Sequence, residues 1–244
     1  MRWSPELLER MRRDWDERAR ENARYYVATT KRAWTDEEFF ASGESHVREQ
    51  ILNDMINICQ ETDPRRMRML ELGCGAGRVT RALARVFGRV DGVDISGEMI
   101  ERAQEVLREV ANAHAHQNNG VDLAMFGDQT FDFAFSSIVF QHIPSREVIE
   151  NYVREVRRVL RPGRLFKFQV QGAPSDDRRC DTWLGVGFTE DDMRRMAERT
   201  GFEMRYSHDA GTQYFWLWFF KPPADSALDN GLPHAPAAPG DRLG

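Results

Sequence analysis

The run Met69-Leu70-Glu71-Leu72-Gly73-Cys74-Gly75-Ala76-Gly77-Arg78 constrains the fold of this chain more than any other segment. An apolar, strand-like stretch carries a carboxylate near its end, and three glycines then alternate with small residues before helical spacing begins. Asp94 closes a second apolar stretch about twenty residues after the first glycine. Glycines at alternate positions let a chain turn tightly and let a ligand lie against bare backbone. A carboxylate at the tip of the neighbouring strand can accept two hydrogen bonds from a vicinal diol. The pattern therefore predicts a strand–loop–helix–strand unit of a parallel sheet, with a ribose-bearing ligand held at its edge.

The rest of the chain extends this unit. From residue 65 onward strands alternate with helices, which argues an α/β, doubly wound sheet with helices on both faces. Strands are expected at 68–72, 89–95, 114–117, 131–137, 165–170, 202–207 and 214–221. Ser96, Ser145 and Thr189 each stand where a helix N-cap is needed. The link Asp209-Ala210-Gly211-Thr212 is too short for a parallel crossover, so the last strand must run antiparallel. The aromatic run Tyr214 to Phe220 fits a strand covered on both faces. Before the sheet, Ser4-Pro5 opens an amphipathic helix bearing Leu8, Met11, Trp15, Ala19, Ala23 and Tyr26. A break containing Trp34, Phe39, Phe40 and Gly43 is expected next. A second helix then carries Val47, Ile51, Met55 and Ile58 to a stop at Asp63-Pro64. The expected organisation is an N-terminal helical cap over 1–62, a core over 63–221 and a flexible tail over 222–244, rich in Pro, Ala and Gly.

Composition narrows the class. At 244 residues and 41% hydrophobic, the chain can bury one sizeable core. A net charge of −5 and arginines interspersed with Asp and Glu give no basic stripe, so no nucleic-acid partner is expected. Cys59, Cys74 and Cys180 lack ligand spacing, and no metal site is expected. Scattered thiols, a charged start from Arg2 and no long apolar run lead to the expectation of a cytoplasmic protein without a membrane partner. The oligomeric state is not legible.

Two details distinguish between nucleoside cofactors. The glycine spacing is G-x-G-x-G rather than G-x-G-x-x-G, and Glu71 would repel a pyrophosphate. The same carboxylate suits a ligand carrying a sulfonium and an ammonium. Taken with Val93-Asp94-Ile95-Ser96, Phe131-Asp132-Phe133-Ala134-Phe135-Ser136-Ser137 and Arg158-Val159-Leu160-Arg161-Pro162-Gly163, the chain resembles the class I S-adenosylmethionine-dependent methyltransferases of the type 11 small-molecule kind. The resemblance covers about residues 65 to 221. It implies a Rossmann-like seven-stranded sheet, S-adenosyl-L-methionine as co-substrate, and a helical lid at the N-terminus. It also implies that Glu71 orients the methionine end, that Gly73, Gly75 and Gly77 pass beneath the cofactor, and that Asp94 binds the ribose. Ile95 and Met99 would lie against the adenine, Asn119 and Gly120 at its edge, and Ser137 and Ile138 beside the methionine.

His142 follows the fourth strand at the ligand-binding edge, where a neutral imidazole can serve as a general base or as loop support. Lys167, Gln169 and Gln171 share one face of the fifth strand and are candidates for an acceptor pocket, as are Arg178 to Trp183. The sequence thus points to methyl transfer to a small molecule at oxygen or nitrogen by in-line displacement. An NAD-dependent oxidoreductase and a non-catalytic cofactor-binding regulator remain as alternatives.

Overall fold

The computed structural model describes residues 3–173 and 180–224. The expected tail beyond Ala224, and Arg178 and Arg179, lie outside the described residues.

Helix α1 (Pro5–Val27) begins where the sequence places it, with Ser4 Oγ accepting the Leu7 amide. Asn22 interrupts it: the residue is extended, and its side-chain oxygen accepts the Tyr25 amide at 3.1 Å, which restarts a final turn. Helix α2 (Asp36–Gln50) corrects the expected break, because Phe39, Phe40 and Gly43 lie inside it. A capping box is the reason: Thr35 Oγ accepts from the Glu38 amide, and the Glu38 carboxylate accepts from the Thr35 amide. The helix expected to continue through Ile58 is instead divided into α2, a 3₁₀ turn at Leu52–Asp54 and the short α3 (Met55–Cys59). A buried lysine sits at that division. Lys167 Nζ donates to the Gln50 carbonyl at 2.6 Å and to Asp54 Oδ2 at 3.1 Å. Trp218 Nε1 donates to the same Asp54 oxygen at 2.6 Å.

The sheet region reads β1 (Arg68–Leu72), α4 (Arg78–Leu83), β2 (Arg89–Asp94), α5 (Gly97–Leu107), β3 (Ala113–Gln117), β4 (Phe131–Ser136), α6 (Arg146–Val159), β5 (Leu160–Val170), α7 (Glu190–Thr200), β6 (Glu203–His208) and β7 (Phe215–Lys221). The seven strands lie in the order β3-β2-β1-β4-β5-β7-β6. The pairings through β5 are parallel, and β7 runs antiparallel to both of its neighbours, as the short link before it requires. Strand order reverses between β1 and β4, which opens a crevice at their carboxyl ends. Two cores flank the sheet. One is built on Phe166 and Phe168, stacked 4.3 Å apart, and the other on Phe135 stacked against Trp216. Phe215, Trp216, Leu217, Phe219 and Phe220 of β7 are all buried, as a doubly covered strand demands. Helix α2 approaches α4 so closely that a Cβ on Gly43 would stand 2.4 Å from the Arg78 carbonyl oxygen.

Lys167 is only 3% exposed, so its charge depends on Asp54. Removing one partner of a buried pair leaves an uncompensated charge, at about 3–5 kcal/mol. Asp54→Ala is expected to lower the unfolding free energy by about that amount in urea titrations. A loss below about 1 kcal/mol, the range of an exposed pair, contradicts the assignment.

Candidate active site

The crevice at the carboxyl edge is one continuous cavity of about 1030 Å³ including its open mouth. Its floor is the glycine loop. The amides of Gly73 and Cys74 both donate to the Val93 carbonyl, at 2.7 and 3.0 Å, which ties the loop to β2. Gly73 and Gly75 both have positive φ, and a Cβ on either would collide with a neighbour: Val139 at 2.1 Å and Val27 at 2.8 Å. Both therefore need glycine for backbone and for space. Gly77 is different. It packs on Ala103 of α5 rather than lining the cavity, so its role is helix packing rather than ligand approach.

Asp94 stands at the end of β2 in the cavity wall. One carboxylate oxygen accepts the Gly75 amide at 3.0 Å and the other accepts the Ser96 amide at 2.9 Å. A carboxylate has about four acceptor positions, so two remain for a diol. Burial pushes its pKa up, while the Ser96 and Gly75 amides pull the other way. Glu71 is buried on β1, and one of its oxygens accepts from Thr80 Oγ1 at 2.6 Å. Burial pushes Glu71 up to about 7, against the pull of Thr80 and the Arg78 guanidinium. Both carboxylates thus face the same space, and a cationic ligand beside Glu71 favours its ionised form.

Ile95, Met99 and Gly120 line the cavity. Asn119 does not. Its side-chain oxygen accepts the Val121 and Asp122 amides and its amide nitrogen donates to Asp122, so the residue is spent on its own exposed turn. Asn118, one position earlier, lines the cavity and donates to the Tyr152 hydroxyl at 2.8 Å. Strand β3 ends at Gln117, which places Asn118 at the edge and turns Asn119 outward.

Beyond β4, Ser137 and Ile138 reach the cavity. Ile138 has φ +57°, a strained conformation for a β-branched residue, and its amide is held by Gln169 Oε1 at 2.8 Å. His142 also lines the cavity, with both ring nitrogens engaged. Nδ1 donates to the Trp183 carbonyl at 2.6 Å, which fixes the tautomer. Nε2 then accepts from Gln141, whose Oε1 accepts from Gln169 Nε2 at 2.7 Å. Burial holds His142 down to about 4, so the ring is neutral near pH 7. Gln169 is therefore a link in this relay, and Lys167 is the anchor of Asp54; neither lines the cavity.

The remaining wall comes from α1, which contributes Met11, Trp15, Tyr26 and Val27. Asp16 accepts from Ser96 Oγ at 2.6 Å on one side of the cavity. On the other side Thr182 Oγ1 donates to Asp14 at 2.7 Å, and Arg18 donates to the Thr182 carbonyl at 3.0 Å. Trp15 packs against His142 and Trp183 with ring centroids 5.3 and 6.5 Å away. His46 and Arg78 complete the lining on the α2 side. Sequence reasoning missed both as site residues, because only the packing of α2 on α4 brings His46 to the cavity. Among the described residues there is no cluster of His, Cys, Asp and Glu able to hold a metal ion.

Residues 69–163 match the family described as "Methyltransferase domain". By this segment the chain is similar to S-adenosylmethionine-dependent methyltransferases. Among curated relatives, "Sterol methyltransferase-like 3" of Botryococcus braunii is 29% identical over 161 residues, 59% of this chain and 40% of that protein. The "2-methyl-6-phytyl-1,4-hydroquinone methyltransferase" of Synechocystis is 32% identical over 104 residues, 42% of this chain and 31% of that protein. The chain thus spans well under half the length of either relative. Among solved structures, the DhpI–SAH complex superposes with a TM-score of 0.63 at 20% identity, covering 91% of this chain and 100% of that one. The methyltransferase fold is shared along nearly the whole described chain.

The pKa of Glu71 makes stability depend on pH. Its value rises from an ordinary 4.5 to about 7 on folding, so the folded state holds the proton more tightly. The contribution is complete below about 4.5 and is lost as pH rises to about 7, roughly 3 kcal/mol in all. Denaturant titrations at pH 4.5 and 8 are expected to show the wild-type protein losing roughly that much more than Glu71→Gln. Parallel profiles for the two proteins contradict this account of Glu71.

Proposed function

We propose that this chain transfers a methyl group from S-adenosyl-L-methionine to a small-molecule acceptor at oxygen or nitrogen. The observation that carries the reading is the placement of Asp94, Glu71 and bare glycine backbone around one cavity, with α1 bonded across it. These residues fit the cofactor. Asp94 keeps free acceptor positions for ribose hydroxyls, Gly73 and Gly75 present bare backbone to the cavity where a Cβ would strike Val139 or Val27, and Glu71 supplies negative charge beneath a cation. Ile95, Met99 and Gly120 form the apolar side for the adenine, and Asn118 takes the polar edge in place of Asn119. Ser137 and Ile138 border the methionine end.

The cofactor supplies an electrophilic methyl on a sulfonium, so the protein need not supply the hard chemistry. What the chain contributes is alignment of the acceptor in line with the methyl, together with exclusion of water. Positioning of this kind contributes on the order of 7–11 kcal/mol to a bimolecular reaction. In this reading residues 1–62 act as a cap, with α1 as the lid and Asn22 dividing it into two parts. His142 supports the site rather than serving as base, since its lone pair faces Gln141 and its N–H is committed to Trp183. The names of the relatives, which include sterol and hydroquinone methyltransferases, support a small-molecule acceptor. An acidic chain with net charge −5 argues against nucleic acid, and the scattered Cys59, Cys74 and Cys180 fit a reducing cytoplasm. No helix among the described residues is long and apolar enough to cross a membrane.

Asp94→Asn is expected to weaken S-adenosylmethionine binding by about 1–3 kcal/mol in calorimetry while leaving the fold intact. Unchanged affinity in the folded variant contradicts the ribose assignment. His142→Ala is expected to lower cofactor affinity and turnover together when methyl transfer to an acceptor panel is followed by mass spectrometry. A fall in turnover alone would assign His142 as the base.

A further inference from the structure

Most buried polar side-chain atoms of the described residues have hydrogen-bond partners. The few without one include His46 Nε2, Arg78 Nε and Ser137 Oγ, and all three residues line the same cavity. Arg78 is only 8% exposed, makes no ion pair among the described residues, and spends one guanidinium nitrogen on Ser42 Oγ at 3.2 Å. A buried guanidinium with an unused donor is costly unless something supplies negative charge and acceptors. Glu71 attracts the guanidinium through space but makes no hydrogen bond or ion pair with it among the described residues, and one of its oxygens is held by Thr80.

We propose that Arg78 and His46 form a carboxylate-binding subsite on the α2 side of the cavity. The proposal rests on the cofactor reading above and specifies a part of the same site. A carboxylate there has two sources, the amino-acid end of the cofactor and the acceptor itself. The surroundings favour an anion. The charged groups facing His46 are Arg78 from α4 and Lys167 from β5, both cationic, and Lys167 is paired with Asp54. Burial, then these two cations, hold His46 down to about 4, so near pH 7 it is a neutral ring. Arg78 supplies the charge and an unpartnered N–H, while His46 and the Ser137 hydroxyl supply further polar atoms. The packing of Gly43 on the Arg78 backbone fixes where this guanidinium starts.

Calorimetry with two nucleosides and one simple acid tests the subsite. S-adenosylhomocysteine carries the amino-acid carboxylate, and 5′-methylthioadenosine lacks it. Benzoate is titrated into both the S-adenosylhomocysteine complex and the free protein. If the cofactor supplies the carboxylate, Arg78→Gln weakens S-adenosylhomocysteine on the order of 10- to 100-fold and methylthioadenosine less than about 2-fold. Arg78→Lys then restores part of the loss, and His46→Phe reproduces part of it. If the acceptor supplies it, both nucleosides bind Arg78→Gln unchanged, and benzoate binds the wild-type complex but not that of the variant. Equal weakening of the two nucleosides, or unchanged nucleosides with no Arg78-dependent benzoate binding, overturns the proposal. Should the wild-type protein bind neither nucleoside, the cofactor reading fails on its own, and benzoate titrated into free wild-type and Arg78→Gln protein still decides the subsite.

Discussion

The Asp94 carboxylate holds the site together. It accepts one amide from the glycine loop and one from the start of α5, and so locks two loops from different strands into a single edge. That edge is the point where strand order reverses between β1 and β4, the place in an open α/β sheet where neighbouring loops part and leave a crevice. Glycine at 73 and 75 follows from the same constraint, because the loop must pass under Val139 and Val27 with no side chain of its own. A single carboxylate thus both shapes the floor of the cavity and faces into it.

Around this floor, polar contacts join parts that are remote in sequence. Asp16 on α1 accepts from the Ser96 hydroxyl, which itself caps α5 by accepting the Met99 amide, so the N-terminal helix is bonded to the element that Asp94 organises. On the other side, the relay from Gln169 through Gln141 and His142 to Trp183 joins β5, the turn after β4 and the loop beneath Arg18. Gln169 also holds Ile138 in its left-handed conformation. Buried polar networks of this kind are favourable only when each member is satisfied. Of the buried side-chain atoms left unsatisfied among the described residues, those of His46, Arg78 and Ser137 belong to residues that line the cavity, whereas Arg154 Nε and Gln171 Oε1 lie elsewhere.

Much of this architecture was legible in the sequence for local reasons. Glycine spacing, the caps at Ser4, Ser96, Ser145 and Thr189, and the short link before β7 each encode geometry over a few residues. The site carboxylates were legible because they flank the loop in sequence. Contacts between distant segments were not. Nothing near Gln50 signals that Lys167 will take its carbonyl, and the capping box at Thr35 outweighed a run of aromatics and glycine that suggested a break. Asn119 was misplaced by one residue because β3 is weakly marked, and in a strand edge one position decides between inward and outward. The polar face of β5 was read correctly as a face, but its partners lie on other elements.

A crystal structure of the protein grown with S-adenosylhomocysteine tests the central claim most directly. The account predicts both ribose hydroxyls on the Asp94 carboxylate, the thioether above Gly73 and Gly75, and the amino-acid end between Glu71 and Ser137. A ribose bound away from Asp94, or a crystal that excludes this nucleoside and takes up NADH in the same cavity, would contradict it.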